Sequence, residues 1–355
     1  MSRNRKTVTI YDVAETAGVS VSTVSRVLNK KDDVSPETFE KVQQVIQELG
    51  YASSLAARGM RSRRTNVIGL VMPDVASLYC IEVLQGVNQV IAQLEYDLIV
   101  YTNGDVRKFA SASQEVYYVT LLNGGVTDGV IVVTPVATNF PTEAPIVLVD
   151  PNNESPECPA VIATNRDGAL QAMDYLISLG HRRIGYINGR SELVSANRRL
   201  LGYRHGLAAA GIPVDETLIE TGDYTTETAA VCARRLLALD DPPTAIFAAN
   251  DMSAIGVYQA AKKLGMRIPE DLSVVGFDNL RESVFLNPQL TTIDQYIPKM
   301  GAIAVEMLVK LIKGETLQNN IYKIQTRLVA RTSCRSMARH SFDVVETQAN
   351  TSMNF

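Results

Sequence analysis

The apolar positions of this chain follow one rhythm at the start and another afterwards. Over residues 10–28 they recur at helical spacing. Val13, Ala14 and Ala17 share a face, Gly18-Val19 makes a tight corner, and Ser20 can cap a second helix that buries Val24, Val27 and Leu28. That second helix leaves Val21, Ser22, Ser25 and Arg26 outward. A third helix is predicted from Ser35 as N-cap, through Pro36 at its first position, to Gly50 as its stop, with Val42, Val45, Ile46 and Leu49 inward.

From Asn66 onward the pattern changes to short apolar runs. Those at 67–71, 98–101, 129–133, 146–149, 183–187, 245–248 and 273–276 read as buried parallel strands. Helical stretches near 80–94, 168–179, 199–210, 226–239, 251–264 and 298–312 lie between most of them. Such alternation predicts βαβ units and doubly wound sheets. One sheet does not reasonably span the rest of the chain, so two α/β lobes are expected behind a small all-α head.

Two short helices joined by a glycine corner are the unit that lays its second helix in the major groove of DNA. They also occur in plain helical bundles, and charge separates the two readings. Residues 1–64 carry 11 Lys+Arg against 7 Asp+Glu, whereas the remainder carries 23 against 31. A basic head on an acidic body suggests that only the head meets a polyanion, and the overall charge of −4 conceals this.

The run Tyr11-Asp12-Val13-Ala14, Ala17-Gly18-Val19-Ser20 and Thr23-Val24-Ser25-Arg26-Val27-Leu28-Asn29 resembles the head of the LacI–GalR (lactose/galactose repressor) family nearly residue for residue. The resemblance continues through Val34-Ser35 and Gly50-Tyr51 and covers roughly residues 8–335. It implies that Tyr11, Ser20, Val21, Ser22, Thr23, Ser25, Arg26 and Asn29 meet DNA. It also implies that 51–65, with four arginines and no acid, is a hinge that folds on the operator. Ala57, Met60 and Arg61 would then lie in the minor groove, with Met60 as the apolar wedge. This chain departs from the family pattern there, with Met60 in place of a leucine and Ser53 where a proline is usual. Off DNA, a disordered basic linker is the simpler expectation.

For the body the resemblance implies two lobes like those of periplasmic sugar-binding proteins, with chain crossings near 163–165, 293–296 and 325. Ligands of such sheets bind beyond the carboxyl ends of the strands. Asp150, Asn250 and Asp278 stand at those ends, Arg199 is expected to open a helix, and Tyr224 and Gln295 lie in connecting segments. A guanidinium, carboxylates and an aromatic face are what polyols need. Arg199, Asn250, Asp278 and Gln295 match effector-contacting positions of the family. Ser77, Tyr79 and Cys80 match a wall that more often reads Asn-Pro-Phe-Phe. Taken singly, Asp251 reads as the cap of the next helix, and Cys80 as either pocket lining or a low-pKa redox thiol, with lining preferred.

Composition excludes some classes. No signal-peptide h-region follows Met1-Ser2-Arg3, and no apolar run approaches the ~20 residues of a membrane span. Four scattered cysteines suggest reduced thiols in a cytoplasm, and three distant histidines leave little for metal or triad chemistry. A transport-type binding protein would suit the body alone but not the head. A sugar kinase or similar enzyme would need a phosphate-binding glycine motif, and none appears. The reading is therefore a cytoplasmic transcriptional regulator, not an enzyme, needing no cofactor or metal. It is expected to act as a homodimer on pseudo-palindromic double-stranded operator DNA. Its effector would be a mono- or oligosaccharide, with a nucleoside or purine as the alternative. The expected division is a head at 1–50, a hinge at 51–65, a bilobed effector and dimerisation domain at 66–340, and a disordered tail at 341–355.

Overall fold

The computed structural model describes residues 8–28, 31–51, 64–102 and 111–337. The expectations placed on Asn29, Ala57, Met60 and Arg61, on most of the hinge and on the tail lie outside these residues. The chain divides between Asn66 and Val67, with 124–128 grouped with the first unit.

Three helices make the head: α1 (Ile10–Ala17), α2 (Val21–Leu28) and α3 (Pro36–Leu49). Thr9 and Asp12 form a reciprocal capping box at the start of α1. Gly18 ends α1 at φ 65°, a backbone state that a Cβ would disfavour. The Ser20 hydroxyl accepts from the Thr23 amide at 3.1 Å, and Ser35 caps α3. Ile10, Val13, Ala14, Ala17, Val24, Val27, Val42 and Val45 form the core, with Leu28, Ile46 and Leu49 partly buried against it.

The body is built from parallel sheets. Its N lobe holds β1 (Val67–Met72), β2 (Asp97–Thr102), β3 (Gly129–Val133), β4 (Ile146–Val149), β5 (Ala160–Ala163) and β11 (Ile321–Ile324), in the order β11-β5-β4-β3-β1-β2. Helices α4 (Leu78–Leu94) and α10 (Ile297–Ile312) cover one face, and α5 (Ala112–Asn123) packs on the other. In the C lobe, β6 (Ile184–Asn188), β7 (Ile219–Thr221), β8 (Ala245–Ala248) and β9 (Ser273–Val275) run in the order β7-β6-β8-β9. Around them lie α6 (Asn165–Ser178), α7 (Val194–Ala209), α8 (Thr226–Leu237) and α9 (Asp251–Lys263). A short antiparallel pair, β10 (Thr292–Asp294) and β12 (Arg327–Val329), accompanies the crossings.

Three connections join the lobes, at the positions the resemblance implied. At two of them Thr164 and Thr326 interlock, with Thr326 N donating to Thr164 Oγ1 at 3.1 Å. The third follows β10 and turns into α10 through Tyr296 at φ 54°.

The structure also corrects the element boundaries. It adds α5, β5, β7, β10, β11 and β12, none of which was expected as a regular element. It starts α7 at Val194, so Arg199 is the sixth residue of its helix and not the first. No helix among the described residues is long and apolar enough to cross a membrane.

Candidate functional site

On the head, Tyr11, Ser20, Ser22 and Arg26 are exposed, and Val21, Thr23 and Ser25 are half-buried. Of the residues expected to meet DNA, Ser22 and Arg26 are exposed on α2 while Val24 and Val27 are buried, and Tyr11 is exposed on α1. Arg26 rests in an open ion pair, its Nε 3.4 Å from Asp33.

In the body the cleft residues converge around Arg199. Its Nε donates to Asn165 Oδ1 at 2.8 Å, and its Nη1 donates to the Ala249 carbonyl at 2.5 Å and to Asp278 Oδ1 at 3.4 Å. The guanidinium lies 3.8 Å from the Phe277 ring centroid and 6.0 Å from that of Tyr224. Burial opposes its charge, but Tyr224, Asp278 and Asp150 around it raise its pKa on balance. Asp278 sits just past β9 at φ 114°, and its Oδ1 also accepts from Gln295 Nε2 at 2.6 Å. Burial pushes the Asp278 carboxyl up to about 7, against the pull of Arg199 and Gln295. A single cation and one amide therefore hold a carboxylate that the site keeps out of water.

The other lobe supplies Asp150 and Tyr79. Asp150 follows β4 at φ 49°, and burial raises its pKa while Arg199 and Arg198 oppose. The Tyr79 phenol is raised well above its ordinary value by burial, then by repulsion from Asp150 and Asp278. These dependences place both carboxylates, both tyrosines and Arg199 within electrostatic reach of one another. Tyr224 lies flat on Gly189, where a Cβ would collide with its ring, and its buried hydroxyl meets no well-formed hydrogen bond among the described residues, with only the Ser195 hydroxyl at hand. A hydroxyl so weakly satisfied beside an arginine and two carboxylates suits a site that receives hydrogen bonds.

Four residues have other or additional work. Asn250, not Asp251, is the N-cap of α9: its Oδ1 accepts from Ser253 N at 2.8 Å and its Nδ2 donates to the Tyr224 carbonyl at 3.3 Å. Asp251 is instead a buried strut, accepting from Leu280 N at 2.8 Å and from Thr292 Oγ1 at 2.5 Å. Cys80 turns into the N-lobe core, where burial pushes its thiol up to about 11. Its burial and its raised pKa both count against the redox-sensor alternative. Ser77 caps no backbone amide of α4, and its hydroxyl serves Cys80.

Sequence reasoning missed Asn165, Phe277 and Ser195. Asn165 stands in a crossing and orients Arg199, so its position was a usable signal. Ser195, which lies beside Asp150 and Tyr224, belongs to a turn of α7 that carried no such mark.

Comparison with known proteins decides the family. Residues 9–54 match the family described as bacterial regulatory proteins, lacI family, and residues 173–334 match a periplasmic binding protein-like domain. The catabolite control protein A of Priestia megaterium is 33% identical over 92% of this chain and 99% of its own length. The chain belongs to the LacI family. This regulator is also 32% identical to the HTH-type transcriptional repressor PurR of Vibrio atlanticus, over 93% of the chain and 99% of that protein. Among solved structures it resembles the transcriptional regulator CelR–cellobiose complex, at 32% identity and TM-score 0.68, covering 92% of this chain and 99% of that one. It also resembles the Lac repressor dimer bound to operator and an anti-inducer, at 27% identity and TM-score 0.80, covering 93% and 100%. It is thus a DNA-binding transcriptional regulator with an α/β body of the periplasmic-binding-protein type.

Proposed function

We propose that this regulator represses transcription as a homodimer on a pseudo-palindromic operator, and that a saccharide held between its lobes sets its operator affinity. The buried Arg199–Asp278–Gln295 cluster carries this reading, because it lies within electrostatic reach of Asp150 and Tyr79 of the other lobe, beside a Tyr224 hydroxyl that has only Ser195 at hand. Two carboxylates against one arginine favour a ligand rich in donors. A saccharide offers hydroxyls, each of which can donate. A purine also brings N–H donors, but fewer of them and fixed in one ring plane, and anionic sugars would meet Asp150 and Asp278 directly. The similarity to a cellobiose-bound regulator supports the sugar, and the similarity to repressors named PurR makes a purine the alternative. A thermal-shift panel of neutral sugars and nucleobases separates the two, since a ligand at 100 Kd should stabilise the body by about 2.7 kcal/mol. Stabilisation by nucleobases alone would overturn the sugar.

At the operator, Tyr11, Ser20, Val21, Ser22, Thr23, Ser25 and Arg26 would meet the major groove, joined by Asn29, with Ala57, Met60 and Arg61 in the minor groove. Arg26 has the reach for a bidentate contact to guanine, worth about 1–3 kcal/mol of discrimination. Arg26→Ala is expected to erase selection at one operator position while keeping much of the salt-dependent affinity. Unchanged sequence preference in a binding-site selection would refute the docking.

One head makes few base contacts, and dimers supply two half-sites. The N lobe offers a surface for pairing: β2 is an edge strand, and Val100, Tyr117 and Leu121 are exposed apolar side chains on that lobe. Val100→Lys is expected to weaken the dimer about tenfold, equivalent to ~1.4 kcal/mol. Sedimentation equilibrium reads this directly, and an unaltered dimer constant would move the interface elsewhere.

A further inference from the structure

Two side chains of the N lobe reach across to the C lobe beside the cleft. Asn152 lies in the loop between β4 and β5. Its Oδ1 accepts from the Val194 amide at 2.7 Å, and its Nδ2 donates to the Glu192 carbonyl at 3.0 Å. Two residues on, Glu154 receives Arg198 in a two-pronged pair, Nε–Oε1 at 3.2 Å and Nη2–Oε2 at 2.7 Å. The loop is braced on its own lobe, with Asn152 N donating to the Pro135 carbonyl at 3.2 Å and Ser155 N to Asn153 Oδ1 at 3.0 Å. It is a preformed arm gripping the first turns of α7.

We propose that Asn152 and Glu154 form a clasp between the lobes, and that this clasp sets how far the cleft is closed before any effector enters. The proposal rests on the reading that the effector sits in the cleft. It deepens that reading because the gripping segments also carry the pocket. Asp150 begins the loop that bears Asn152 and Glu154, and Ser195, beside Asp150 and Tyr224, lies on the turn that bears Val194 and Arg198. Effector bound against Asp150 and the clasp therefore act on the same two segments.

The lobes meet a second time through Leu280 and Met252, which pack against the N-lobe core. Those two side chains are apolar, and apolar packing carries no directional preference. The clasp is directional and fixes one arrangement. Glu154 is 69% exposed, so the ion pair alone shifts the closed-to-open ratio by no more than about fivefold. Asn152 adds two bonds to backbone groups, one of them an amide of the first turn of α7 that lacks a partner within the helix. A pre-closed cleft presents its ligand with an assembled site. Loosening the clasp then lowers apparent affinity by the fraction of closed molecules lost.

The chain contains no tryptophan, so Tyr224→Trp provides a single indole beside both lobes, excited to the red of the tyrosine band. In that background Asn152→Ala or Glu154→Ala is expected to raise acrylamide quenching about two- to fivefold in the full-length protein without added ligand. The double reversal Glu154→Arg with Arg198→Glu should return quenching towards the parent value. Tyr224 makes no hydrogen bond to either clasp residue but neighbours Ser195 on the gripped turn, so small-angle scattering of the same variants, which reads expansion on opening and not a local break, accompanies the quenching. Unchanged quenching in both single variants, or a double reversal that quenches like the singles, overturns the clasp. Operator affinity of the same proteins separates the two readings. If quenching changes and operator affinity does not, the clasp stands and the control of DNA binding by the cleft falls.

Discussion

Asp278→Asn is expected to leave a regulator that binds its operator but responds to effector at least tenfold less sensitively. Asp278 supplies the carboxylate that accepts from both Arg199 and Gln295, at 3.4 and 2.6 Å, and the amide preserves its shape without its charge. Arg199→Ala goes further, stripping partners from Asn165, the Ala249 carbonyl and Asp278 at once. Removing one member of a buried charged hydrogen bond costs about 2–5 kcal/mol, enough to abolish the response at ordinary ligand levels. Arg199→Lys keeps the charge without the planar fork and should remain impaired. The pH dependence has a definite sign. Burial pushes Asp278 up to about 7, so the acceptor is mostly charged at pH 8 and mostly protonated at pH 6. Affinity for a hydroxyl-donating effector should fall on acidification across that window, and Asp278→Asn should flatten the profile. Titrations of operator affinity against effector at the two pH values read both effects. A parent-like response in Arg199→Ala and Asp278→Asn would place the effector site elsewhere.

Gly86→Ala is expected to destabilise the N lobe by about 3 kcal/mol or more, although helix propensity alone argues for a gain of ~0.5–1 kcal/mol. A Cβ on Gly86 would fall on the Pro298 carbonyl, and one on Gly301 would fall on the Val83 carbonyl. Helices α4 and α10 thus touch backbone to backbone at two reciprocal glycines, and no side-chain rotation relieves the clash. Asn88→Ala, on the exposed face of the same helix, separates propensity from packing and should be neutral or mildly stabilising. Thermal unfolding decides the matter, with about 2–4 °C lost per kcal/mol for a domain of this size. A raised midpoint in Gly86→Ala would mean that the two helices are not in that contact.

The head was legible because its signals are local. Caps at Thr9, Ser20 and Ser35, left-handed glycines at 18 and 50, and a 3.6-residue apolar period all act within one helical turn of themselves. Strands buried on both faces announce themselves as unbroken apolar runs, so β1, β3, β4 and β8 were found nearly at their true limits. The half-exposed β2 matched its apolar stretch only in part, and the short β7 and β11 gave no usable run. The charged or polar residues at strand ends were visible as candidates because a sheet delivers its carboxyl ends to one side.

The sequence by itself determined the helical head, the two α/β lobes, the family and most of the residues that gather in the cleft. Each follows from spacing along the chain or from motif identity. Only the tertiary structure decided which of those residues are partners. Arg199 meets Asp278 across 79 positions of sequence, Gln295 arrives from a crossing segment, and Asn250 rather than Asp251 caps α9. Cys80 turned inward, Gly86 proved to be a backbone contact, and the Asn152–Glu154 grip on α7 left no trace in any local pattern. The physical reason is range. Capping, periodicity and turn chemistry are settled by neighbours in the chain, whereas burial, charge pairing and close approach are settled by whichever segments the fold brings together.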